Sequence, residues 1–110
     1  MQTITRSLTY GYRDADGVTH AEFDMRVPTL DDMEAAIEQA PQNASSAKLS
    51  RYIWARTITR LGTLPAEAIT PELLGGLPYV EYGVLEGAEK DLLGGLVPAS
   101  ADSGITGSSK

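Results

Sequence analysis

Cysteine is absent from the chain. Its absence excludes a disulfide framework, a thiolate zinc site and a cysteine nucleophile. Histidine occurs once, as His20. With Glu22 and Asp24 beside it by strand parity, a metal site is conceivable, but the expectation is a solvated outer strand face. Basic residues are few. Nine Lys and Arg stand against fifteen Asp and Glu, for a net charge of −6. Nonspecific binding to DNA, RNA or anionic lipid needs a basic surface, so the balance argues against both nucleic acid and membrane as partners. No apolar run approaches the ~18 residues of a membrane span. The N-terminus MQTITRSLTY alternates and lacks the apolar middle of a signal peptide. The expectation is therefore a cytosolic protein beginning at its own Met1. There is no nucleophile elbow, Walker loop or dinucleotide fingerprint. The segment Asp14-Ala15-Asp16-Gly17 resembles only the start of a calcium loop, without its later ligands. No catalytic residue, metal ligand or cofactor site is expected.

What is present suits one modest globular domain. The chain has 110 residues, 42% hydrophobic and 22% charged. A domain of this size buries only about two-thirds of its unfolded surface. No internal repeat or long heptad pattern appears.

Residues 3–27 read as a β-hairpin. Ile4, Leu8, Tyr10 and Tyr12 share one face of the first strand, interrupted by Arg6. The second strand sets Thr19, Ala21, Phe23, Met25 and Val27 against Val18, His20, Glu22, Asp24 and Arg26. Asp14 to Gly17 supplies turn chemistry between them. After Pro28, Thr29 is an N-cap with Asp32 as capping-box partner. Leu30, Met33, Ala36, Ile37 and Ala40 then form an apolar helical stripe that Pro41 ends.

A second helix is expected over residues 47–61. Ala47, Ile53, Trp54, Ile58 and Leu61 make its apolar arc, and Gly62 its C-terminal stop. Lys48, Arg51, Arg56 and Arg60 crowd the other side. No acidic residue lies between Glu38 and Glu67, so this is a basic island in an acidic chain. Three readings stay open for it: compensation of acidic neighbouring helices, an acidic protein partner, or nucleic acid. Trp54 on the apolar arc belongs to the core.

Thr70-Pro71-Glu72 starts a short helix that Gly75-Gly76 stops. A last helix is expected over 78–93, with Val80, Val84, Ala88 and Leu92 repeating every fourth residue and Tyr82, Leu85 and Leu93 widening the apolar side. Gly83 and Gly87 inside it each cost about 1 kcal/mol against alanine. Either another backbone packs closely against them, or the helix settles fully only with a partner bound. The expected architecture is α+β: an N-terminal antiparallel β-hairpin packed on three to four α-helices over residues 1–95, followed by a flexible Ser/Gly-rich tail over 96–110.

The order of parts carries a resemblance. Val27-Pro28-Thr29-Leu30-Asp31-Asp32-Met33 leads from hairpin to helix. Ile69-Thr70-Pro71-Glu72-Leu73-Leu74, a leucine-proline step and Glu81-Tyr82-x-x-Leu85-x-x-Ala88 follow. Over about residues 8–93 this resembles the small tail assembly chaperones of tailed bacteriophages, in particular the Mu-like group. The resemblance implies a helper protein of the host cytoplasm that binds the tape measure protein and keeps it soluble during tail assembly. It implies a homo-oligomer, no cofactor and no catalytic residue. The glycine-rich last helix and the Ser/Gly-rich end depart from the family's pattern. The expected partner-binding residues are Tyr79, Tyr82 and Leu85, with Arg51 and Arg56 of the basic island, and the hairpin's outer edges are the expected contact between subunits. Two other functions compete with this one. The first is a permanent virion component of the tail or connector. The second is a small nucleic-acid-binding regulator using Lys48, Arg51, Arg56 and Arg60.

Overall fold

Alternating sequence on both sides of an Asp/Gly turn closes strand β1 (Thr3–Arg13) onto β2 (Thr19–Arg26), antiparallel, in a computed structural model that describes residues 2–99. The turn works through Asp14. Its carboxylate accepts the N–H groups of Asp16 and Val18, each at 2.9 Å, while Gly17 sits at φ +82°. Two further strands extend the hairpin. β3 (Ile58–Leu61) pairs with β2, and the short β4 (Leu64–Pro65) pairs with β3, giving a four-stranded antiparallel sheet in the order β1-β2-β3-β4.

The helices fill the chain between and after these strands. α1 (Leu30–Gln39) begins at the expected capping box, with both reciprocal Thr29–Asp32 bonds present. α2 (Ser46–Thr57) is capped by Ser45, whose side chain accepts from the Lys48 N–H. A single 3-10 turn (Ala66–Ala68) precedes α3 (Pro71–Gly75), which starts on the Thr70 cap with proline in the first turn. α4 (Glu81–Gly94) lies against β1. The core joins Phe23 and Met25 of β2, Ile58 and Leu61 of β3, Trp54 of α2, Leu74 of α3, and Leu85, Ala88 and Leu92 of α4. The α+β expectation holds. The tail expected from residue 96 falls mostly outside the described residues.

Five local expectations are corrected. The second helix stops at Thr57, and Ile58 to Leu61 form a strand instead of its last turn. Gly62 is therefore no helix stop; at φ +59° it turns the tight β3–β4 hairpin. The last helix begins at Glu81, so Tyr79 and Val80 lie in the turn before it. Tyr10 does not share the buried face of Leu8. The β1–β2 register jumps between Ser7/Glu22 and Tyr12/His20, which places a multi-residue bulge in β1 and leaves Tyr10 66% exposed. Finally, the α1 stripe does not face the core. Ala36 is buried, but Leu30, Met33 and Ile37 stand in solvent.

His20 also departs from expectation. It is buried, 2% exposed, and pins the two hairpins together. Its Nε2 donates to Asp14 Oδ2 at 2.8 Å, because its Nδ1 is the acceptor for the Thr63 N–H at 3.2 Å. A β-carbon on Gly62 would collide with the ring, so glycine serves both the turn and the close approach.

Candidate functional site

Two buried carboxylates organise the molecule, and both are held in hydrogen bonds within the fold. Asp32, 1% exposed, sits at the N-terminus of α1. Arg26 of β2 grips it in a bidentate pair at 2.7 and 2.9 Å, and Arg56 of α2 adds a bond at 3.0 Å. Thr29 contributes its N–H at 2.8 Å and its hydroxyl at 3.1 Å. The Arg26 guanidinium, helped by Thr29 and Arg56, holds the Asp32 carboxyl well below the usual carboxylate range despite its burial. Glu81, fully buried, starts α4 and accepts three backbone N–H groups of the β1 bulge: Thr9 at 2.8 Å, Tyr10 at 2.7 Å and Gly11 at 2.9 Å. Of these donors the Gly11 N–H is buried, and the bulge would otherwise leave it without a partner.

The basic island resolves residue by residue. Arg56 belongs to the Asp32 centre. Arg60, now on β3, bonds Asp24 at 3.0 Å and Glu22 at 2.9 Å across the open face of the sheet. The carboxyl of Asp24 is lowered by Arg60 first and then by the Thr5 hydroxyl. Arg51 donates to the Pro71 carbonyl at 2.7 Å and lies over Gly75, tying α2 to α3. Compensation thus comes from α1 for Arg56 and from β2, not a helix, for Arg60. Lys48 and Arg51 have no carboxylate partner among the described residues.

Beside those two cations lies a groove of about 700 Å³ between α2, α3 and the start of α4. Its walls are mainly apolar: Trp54, Leu74, Leu77, Pro78, Tyr82 and Leu85. Trp54 and Tyr82 meet edge-to-face with centroids 5.1 Å apart. The Trp54 indole N–H is buried without a hydrogen-bond partner. Glu89 lies near it, its carboxyl raised chiefly by burial. At the mouth, Tyr79 is 90% exposed, an aromatic ring carried into solvent by the Pro78–Val80 turn. No family model, curated protein or solved structure matches this chain.

The fold brings four of the five expected partner-binding residues to this groove. Tyr79 stands free at its mouth, Tyr82 is half-buried, Leu85 is buried in its floor and Arg51 borders it. Arg56 is elsewhere, held by Asp32. Leu74 and Leu77, not expected among the partner-binding residues, join the groove wall, and Lys48 of the basic island lines it as well. The Leu77-Pro78 step marks where the chain leaves α3 and folds back toward α4, and it was the available signal for the groove wall. Among the described residues no helix is long and apolar enough to cross a membrane, and no group of three or more His, Cys, Asp or Glu is placed to hold a metal.

Proposed function

We propose that the chain is an assembly chaperone that covers an apolar helical segment of another polypeptide, and that the polypeptide is the tape measure protein of a tailed phage. The observation that carries the binding role is the apolar groove with Tyr79 exposed at its mouth. An amphipathic helix seats its anchors in such a groove, and a chain with a long bare apolar helix aggregates unless one is supplied. The one carboxylate lining the groove, Glu81, is engaged with the β1 bulge, as the Ser45 hydroxyl is with the Lys48 N–H and Arg51 with the Pro71 carbonyl, while the Trp54 indole N–H and the Lys48 ammonium have no partner among the described residues. That engagement favours holding a partner over transforming a substrate. The identity of the partner rests on the resemblance of the ordered motifs from Val27-Pro28-Thr29 to Glu81-Tyr82-x-x-Leu85.

Co-expression tests the whole reading. The tape measure protein of the same gene cluster should move from pellet to soluble fraction when this chain is present. Tyr79→Ser should remove the effect while leaving the thermal melt unchanged, because the ring contributes little to the core. A tape measure protein equally insoluble with and without the chain overturns the proposal.

A further inference from the structure

α1 carries the second large apolar feature of the described surface. Leu30, Met33 and Ile37 are 72%, 42% and 56% exposed, and they recur at i, i+3 and i+7, the anchor spacing of a helix that docks in a groove. Asp31, Glu34 and Glu38, all exposed, run along one side of this stripe. The opposite side is committed: Ala36 and Asp32 are buried, Asp32 in its bonds to Arg26 and Arg56. Within the described fold nothing covers the stripe.

The groove is its complement in both shape and sign. The stripe is convex and apolar with an acidic border. The groove is concave and apolar, and Lys48 and Arg51 line it from α2. Two copies of a chain with net charge −6 repel at long range, so contact between them needs local pairing of opposite sign. This pair of surfaces supplies it. The free edge of β1 is the weaker contact, because the N–H groups of Thr9, Tyr10 and Gly11 are already given to Glu81.

We propose that α1 of one copy docks in the groove of a second copy. Leu30, Met33 and Ile37 enter the apolar trough, and the acidic border of α1 meets Lys48 and Arg51. The contact is heterologous: each copy offers a helix to one neighbour and a groove to another. It also regulates the groove, in a way that rests on the client-binding role proposed above. Self-docked copies shield their own apolar surfaces, and a client helix must displace α1 to bind.

Sedimentation of two complementary variants tests the contact. Wild type should pass from monomer to larger species as concentration rises. Leu30→Ser/Ile37→Ser, which keeps the groove, and Tyr79→Ser, which keeps α1, should each sediment as monomers with folded circular-dichroism spectra. Mixed, they should form a one-to-one dimer that grows no further, since one intact helix meets one intact groove. A monomeric wild type at every concentration, an α1 variant that associates like wild type, or a mixture that stays monomeric overturns the proposal. Client binding is read separately. The Leu30→Ser/Ile37→Ser protein should bind a client helix more tightly than wild type, because self-competition is gone. A mixture that dimerises while no variant binds client sinks the client role and leaves this contact standing. Equal client binding by wild type and the α1 variant, with no dimer in the mixture, does the reverse.

Discussion

Single residues carry unusual weight where α4 begins. Glu81 accepts the N–H groups of Thr9, Tyr10 and Gly11, so the helix start and the β1 bulge are tied to one carboxylate. Leaving a buried donor unsatisfied costs about 1–3 kcal/mol. Glu81→Ala strands the buried Gly11 N–H and should therefore lower stability by about 1–3 kcal/mol, read from the urea midpoint. Two residues further along, Gly83 has the opposite character. A β-carbon there would meet nothing within 4 Å, and the same is true at Gly87. Close packing of another backbone does not explain either glycine. Gly83→Ala should stabilise the isolated protein by about 1 kcal/mol, a rise of about 4–8 °C in Tm for a domain near this size. An unchanged or lowered Tm would show that the open space is filled. Gly83 also lines the groove, so the same variant reports whether added helix rigidity weakens client binding.

At the scale of elements, the Asp32 centre fastens α1, β2 and α2 together, because Arg26 and Arg56 converge on it and Arg26 also donates to the Arg56 carbonyl at 3.0 Å. Asp32→Asn leaves two guanidinium groups without their carboxylate and should cost about 3 kcal/mol or more in thermal or urea unfolding. A loss below about 1 kcal/mol would mean that solvent already screens the two arginines. The start of α1 was legible in the sequence because a capping box is local: Thr29 and Asp32 name their own bonds. The Thr70-Pro71 start of α3 and the Asp14 turn were legible for the same reason. β3 was not. Its β2 register slips between Asp24 and Met25, so Ile58 and Leu61, three residues apart, both reach the core. That spacing imitates a helix. The bulge in β1 misled in the same way, since it breaks the alternation that put Tyr10 beside Leu8. The groove was half legible. Tyr79, Tyr82 and Leu85 lie close in sequence, but Lys48, Arg51 and Leu74 join them only through packing of α2 on α3.

Across the whole molecule, three of the carboxylates that link separate pieces have a lowered affinity for protons. Asp14 is lowered mainly by His20, with the Val18 N–H next; Asp24 is lowered mainly by Arg60, and Asp32 mainly by Arg26. Asp14 holds His20, which takes the Thr63 N–H of the second hairpin; Asp24 joins β2 to β3, and Asp32 joins α1 to the sheet. A carboxyl with a folded pKa below its unfolded one stabilises the fold while ionised. That contribution is complete above the unfolded value of about 4 and is lost as pH falls through the folded one. Glu89 runs the other way: burial first, with Glu86, raises it, so protonation relieves a penalty. Three linking aspartates against one raised glutamate make the balance acid-labile. The urea midpoint should hold steady near neutrality, fall as pH drops below about 4, and fall less in Asp32→Asn, which has already lost the most strongly lowered group. Glu89→Gln should leave the acid limb in place, since its proton works against that limb. A midpoint that stays level down to pH about 2 would mean that these aspartates bind protons alike in the folded and unfolded chain, and that apolar packing alone joins the two hairpins and α1.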